Sequence, residues 1–205
     1  MRFFSLDSGF HKYGTILFDL IALSAFWFFT VFGTIGILTP LANTAMFNSI
    51  NRTLVVEDGY MTKSYFIVFK TKILKSLGLS LVGFVLFGIS LFNLWTVYTG
   101  LFNASFLLPL YIMILSEVTI TMLFASALLA ETDMGVKQLI KYGFLLSNKH
   151  FLISVACIAG IFAIGYLGIF QNLLFFFIGT APLFWLFTWL IYTKVFTNYH
   201  LDKLV

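Results

Sequence analysis

Two acidic side chains, Glu117 and Asp19, stand inside long apolar runs, and theirs is the placement that could do chemistry. Glu117 lies within YIMILSEVTITMLFASALLA, near the middle of a predicted span, with Ser116, Thr119 and Thr121 close by. A bare carboxylate in hydrocarbon is costly. Such a group is either protonated and hydrogen-bonded against a neighbouring helix, or part of an ion or proton path. The packing role is the expectation for Glu117. Asp19 sits only a turn or so inside its run, where it can reach the membrane edge or a basic side chain of the leader, and a structural role is expected there too.

No other constellation for chemistry is present. H-E-x-x-H, G-x-x-x-x-G-K-[ST], G-x-S-x-G and paired intramembrane aspartates are all absent from the sequence, and His11, His150 and His200 stand apart at predicted membrane edges. The single cysteine, Cys157, lies in FLISVACIAGIFAIGYLGIF and reads as a small buried apolar residue. A metal site would need several more ligands. The expectation is therefore a protein without enzymatic activity, cofactor or metal.

The elements that must hold these residues are set by composition. The 205 residues are 60% hydrophobic and 10% charged, with 27 Phe, and the mean hydropathy is +1.01. A soluble domain carries roughly a quarter of charged residues, so most of this chain belongs in lipid or in a helix bundle. Backbone in hydrocarbon must be satisfied internally, and the apolar runs lack the alternation of a barrel. The predicted fold class is all-α: a single integral membrane domain over 1–205, about six spans in three hairpins, plus an interfacial amphipathic helix.

In chain order, 1–14 reads as a polar and aromatic leader at headgroup level, in which Asp7 or Ser8 can cap a short helix. No cleavable signal is expected there. Two arms follow, Thr15 to Phe32 and Ile37 to Val56, turning at Gly33 to Gly36. Each is close to the roughly 17 to 20 residues that a crossing needs. Pro40 falls in the first turn of the second arm, where it costs least. Asn43, Thr44, Asn48, Ser49 and Asn51 make that arm too polar to face lipid, so it should face protein. A five-span version with this arm at the surface is the alternative.

Asp58-Gly59 marks a turn, and Met61 to Leu77 reads as a helix with Phe66, Phe69, Ile73 and Leu77 on one stripe. The block from Ser76 to Ala130 splits into two spans at Thr99 to Asn103, and that from Phe151 to Thr193 splits near Gly168 to Asn172. Ala156 with Gly160, and Ala159 with Ala163, set small residues four apart for close helix approach. Pro109 starts a span, whereas Pro182 falls halfway along one and should kink it.

The basic residues set the orientation. Two stand in the leader, five in the first joint as Arg52, Lys63, Lys70, Lys72 and Lys75, three in the joint 131–150 and two in the tail, and none in the three intervening turns. The positive-inside bias then places every joint and both termini in the cytoplasm. The five cations of the first joint are candidate contacts for anionic lipid or an acidic partner. The net charge of +4 is explained by topology, and nucleic-acid binding is not expected.

Several short patterns occur together in the first 75 residues. They are Phe4 with Asp7 and Ser8; Asp19, Leu20, Leu23 and Trp27; the turn Thr34-Ile35-Gly36; and Arg52 followed by Glu57 to Tyr60, Phe66, Phe69 and Lys70. In order and spacing they resemble the YesL-like family of bacterial membrane proteins, a domain of unknown function. Ser24, Val31 and Lys72 depart from that family's usual residues. The resemblance implies a bacterial cell-membrane location and an accessory role beside a carbohydrate ABC importer, with a permease subunit as partner. A stand-alone transporter or channel acting as an oligomer is the alternative. It carries over no catalytic residue.

Overall fold

The computed structural model describes residues 9–55, 61–99 and 105–199, and every element among them is helical. Eight α-helices follow one another: α1 (Gly9–Gly33), α2 (Thr39–Ile50), α3 (Met61–Thr71), α4 (Ile73–Tyr98), α5 (Leu108–Glu131), α6 (Val136–Lys149), α7 (Phe151–Tyr166) and α8 (Leu174–Ile191). Three π-helical stretches extend them: Asn51–Val55 after α2, Leu167–Gln171 after α7 and Tyr192–Phe196 after α8. Five helical segments are long and apolar enough to cross a membrane, namely α1, α4, α5, and α7 and α8 with their extensions.

The first hairpin closes where the sequence places a turn. Ile35 and Gly36 take positive φ angles of 52° and 79°. Glycine enters that region freely, but a β-branched isoleucine there is strained by about 1–3 kcal/mol. The geometry is held by the Gly36 N–H donating to the Val31 carbonyl at 2.7 Å and by the Thr34 hydroxyl donating to the Thr30 carbonyl at 2.6 Å.

The second arm is the axis of the bundle. Pro40 opens α2, and every residue of α2 except Thr39 and Asn48 is buried. Helices α1, α3, α4, α5 and α8 all pack against it. The polar arm thus faces protein, as its asparagines and hydroxyls require, and it is not among the five segments long and apolar enough to cross. As a regular α-helix it is only 12 residues long.

The helix expected over 61–77 is broken at Lys72, which separates α3 from α4. Phe66, Ile73 and Leu77 of the predicted stripe are exposed, as a lipid-facing stripe should be. The opposite face is not solvated. Met61, Ser64, Tyr65 and Val68, spaced i, i+3, i+4, i+7, are buried and pack α3 onto α2 and α1. The Tyr65 ring lies 6.0 Å from that of Phe26, and its hydroxyl is 3.3 Å from Thr30.

The joint 131–150 holds a full helix, α6, that its charge pattern alone did not announce. It runs antiparallel to α5: Gly143 abuts Thr121 and Ala125, and Ser147 reaches Glu117. Pro109 sits at the start of α5 as expected. Pro182 lies inside α8, where the neighbouring N–H of Ala181 finds the Ser24 hydroxyl of α1 at 2.8 Å. Of the small residues on α7, Gly160 approaches Leu183 and Phe187 of α8, whereas Ala156, Ala159 and Ala163 are exposed. One continuous core extends from Leu20 to Phe196. The cap at Asp7 or Ser8, the Asp58-Gly59 turn, the centre of the turn at 100–104 and the tail at His200 and Lys203 lie outside the described residues.

Candidate functional site

Glu117 is half-buried on α5, at its seam with α6. Its Oε1 accepts hydrogen bonds from Asn148 Nδ2 at 2.8 Å, the Ser147 hydroxyl at 3.3 Å and the Thr121 hydroxyl at 3.4 Å. Two of these donors come from α6, so the carboxyl clasps the end of that helix to the middle of α5. The other side of the residue meets a hollow lined by Leu86, Ile114, Ile140, Lys141 and Phe144. All three donors meet Oε1, an arrangement that can hold α6 against α5. Asp19 is half-buried on α1 and makes no hydrogen bond among the described residues.

A second polar knot, which sequence reasoning passed over, sits at the C-terminal end of α5. Glu131 Oε1 accepts from Tyr192 Oη at 2.7 Å and from Asn51 Nδ2 at 3.0 Å, tying α5 to the extensions of α8 and α2. Asn48 Nδ2 donates to the Ala130 carbonyl at 3.2 Å. Lys72 Nζ donates to the Thr132 carbonyl at 3.1 Å and Asp133 Oδ1 at 2.7 Å, while Lys75 Nζ reaches the Asp133 carbonyl at 2.6 Å. Two ammonium groups and an amide thus gather around the carbonyl end of α5, where the helix dipole favours positive charge. The Lys72 hydrogen bond, then that of Lys75, hold the Asp133 carboxyl below its ordinary 3.8. The available signal was Glu131-Thr132-Asp133 placed directly after an apolar run, opposite two lysines a turn apart.

The five cations of the first joint therefore divide. Lys72 and Lys75 are engaged within the chain, whereas Arg52, Lys63 and Lys70 are exposed. Lys63 and Lys70 lie on the outward side of α3, whose inward side is spent on α2.

At the junction of α6 and α7, His150 has an Nε2 that is buried without a hydrogen-bond partner. Its ring meets Tyr199 edge-on at 5.9 Å, and Lys149 Nζ stands 4.9 Å over the same tyrosine ring. Burial first, and the Lys149 charge second, push the imidazole below its ordinary 6.5.

A cavity of about 460 Å³ lies between α1, α2, α4, α5, α7 and α8. Its walls are mainly apolar, with Phe87, Phe184 and Phe187 among them, and Trp27, Asn43, Ser80 and Thr119 supply polar atoms. Trp27 Nε1 donates to Asn43 Oδ1 at 2.8 Å. No ionisable side chain lines it, and no cluster of three or more His, Cys, Asp or Glu suited to a metal occurs among the described residues. Such a space is suited to holding an apolar molecule. No family model matches the chain, and no curated protein or solved structure matches it.

Proposed function

We propose that this chain is a non-enzymatic accessory protein of the bacterial cell membrane that works through a multi-pass partner, the YesL-like resemblance pointing to the permease of a carbohydrate ABC importer. The observation that carries the reading is the division of the cations: Lys72 and Lys75 are spent on the end of α5, while Arg52, Lys63 and Lys70 remain at the surface of the same joint. Charges held on a packed helix make a defined docking face for acidic loops of a partner. The stand-alone transporter reading needs Glu117 and the polar second arm on one path; Glu117 and Asn43 line separate hollows.

In this reading the chain crosses six times, with α2 and its π-helical extension as the second crossing and all joints and both termini cytoplasmic. The 17 residues from 39 to 55 reach about 25 Å at 1.5 Å per residue, just short of a typical hydrocarbon core, and the surrounding helices shield α2 from lipid. Cysteines placed at Lys63, Lys141 and Lys203 in a Cys157→Ser background should be protected from an impermeant thiol reagent in intact cells, and those at Thr34, Asn103 and Asn172 labelled. Labelling at Lys203 with protection at Lys63 sinks the topology.

Purification in mild detergent, with mass spectrometry of the associated chains, tests the function. Lys63→Glu with Lys70→Glu should release a permease while the protein still inserts. Solute uptake by the purified protein alone in liposomes would replace the accessory reading with the transporter.

A further inference from the structure

The central cavity has one chemical bias that its apolar walls alone do not explain. The hydroxyl protons of Thr39, Ser80 and Thr119 are each donated to a carbonyl of the same turn, at 2.7, 2.8 and 2.8 Å, and that of Thr180 goes to the Phe176 carbonyl. The Trp27 indole proton is taken by Asn43 Oδ1. What remains is Asn43 Nδ2. The residue is only 9% exposed, its amide nitrogen donates to nothing among the described residues, and it lines the cavity. An amide donor without a protein acceptor on a largely apolar wall is where a ligand oxygen would gain a hydrogen bond.

The rim says where that oxygen comes from. Ile35, Phe84 and Leu91, all apolar, are exposed lining residues. Helices α4 and α7 both flank the cavity without extended contact with each other, and Phe84 and Leu91 of α4 are exposed. A water-soluble solute would meet apolar side chains at the mouth and along the walls. A hydrocarbon chain already in the bilayer would lose nothing by entering. The volume lies within the range of about 300–1,000 Å³ common to small-ligand pockets, room for a chain and not for a whole glycerolipid.

We infer that the cavity between α4 and α7 is a lateral binding site for one acyl chain of a membrane lipid or free fatty acid, whose carbonyl oxygen accepts the hydrogen bond from Asn43 Nδ2. The site is independent of the partner reading, since no residue of the basic joint touches it.

Trp27 provides the readout. With Trp95, Trp185 and Trp189 replaced by Phe, Trp27 is the single emitter, and the full chain is reconstituted in phosphatidylcholine vesicles with increasing fractions of a lipid brominated along its acyl chain. A second protein that keeps only Trp95, which is 54% exposed, reports contact with bulk lipid. Severalfold quenching of Trp27 is expected. Gly165→Phe should abolish most of it, because Gly165 lines the cavity and an added Cβ there meets nothing within 4 Å, so the ring fills the space without displacing a helix. An unquenched Trp27 beside a quenched Trp95 overturns the proposal, as does equal quenching with and without Gly165→Phe. The carbonyl is tested with a brominated fatty acid ester against a bromoalkane of equal length. The ester should quench at the lower mole fraction, and Asn43→Leu should erase the difference; equal quenching by the two in the native chain removes the role of Asn43.

Discussion

The inner half of α5 and the whole of α7 are both almost purely apolar, yet they meet different surroundings. From Ile120 to Ala130 every residue of α5 is buried, and over its most apolar stretch 56% of residues are enclosed by protein, against 17% for α7 with its extension. Hydropathy reports removal from water, and lipid and protein interior serve equally for that. What separates the two helices is the detail of shape and hydrogen bonding. The α5 stretch carries Thr121, Ala125, Ser126 and Ala127, which let α6 and α2 come close, with the Ser126 hydroxyl turned back to the Met122 carbonyl at 2.8 Å. Helix α7 also carries small residues, but Ala156, Ala159 and Ala163 stay exposed while Gly160 is approached by α8.

The sharpest test of this contrast is an aromatic truncation on each helix. Phe124 is fully buried and Phe162 is 63% exposed. Phe124→Ala should cost about 3–5 kcal/mol, as expected for a large cavity in a packed core. Phe162→Ala should leave the melting temperature in detergent nearly unchanged. Equal losses would mean that α7 is also enclosed, by a partner or a second copy.

A Cβ at Gly143 would lie 2.8 Å from the Thr121 carbonyl oxygen and 3.1 Å from the Ala125 nitrogen, both backbone atoms that cannot step aside, whereas one at Gly88 on α4 meets nothing within 4 Å. Gly143→Leu should therefore destabilise by about 1–3 kcal/mol or more through overpacking, and Gly88→Leu should melt like the parent. Thermal denaturation followed by size-exclusion chromatography separates them.

At the same seam, Glu117→Gln keeps an acceptor for Asn148 and Ser147 and should melt close to the parent. Glu117→Leu loses it and should cost about 1 kcal/mol, because Asn148 has a second N–H for the Phe144 carbonyl and the single Ser147 hydroxyl proton already lies nearer that carbonyl, at 2.9 Å, than Glu117, at 3.3 Å. A Gln variant that assembles normally but abolishes uptake by the partner system would instead assign Glu117 to an ion or proton path.

The smallest effect concerns the junction that joins the two regions. His150 has a folded-state pKa below its ordinary 6.5, so the unfolded chain binds the proton more readily. Stability from the neutral ring is complete above 6.5 and declines as pH falls from there toward the folded value. Proton NMR of His150 should give a midpoint below 6.5, and His150→Phe should flatten that part of the stability profile. A midpoint at or above 6.5 would place the imidazole in water and separate it from Tyr199.

Much of the architecture was legible because it follows from solvent alone. Charge-free runs longer than a bilayer is thick, separated by joints and flanked by ends that hold the basic residues, leave helices as the only solution for the backbone. The turn at Gly33 to Gly36, the start of α5 at Pro109 and the inward facing of the polar second arm all follow from residue types with narrow backbone or solvation preferences, whereas the break read near Gly168 to Asn172 falls at its far end, because the helix runs on to Gln171. The three donors on Glu117, the Lys72 and Lys75 contacts at the end of α5, the folding back of α6 and the cavity beside Asn43 do not follow from it. Each depends on which helix lies beside which, and among apolar helices that choice is made by shape complementarity and by pairing of the few polar side chains, Asn148 with Glu117 and Tyr192 with Glu131 among them, which a linear pattern of hydropathy does not encode.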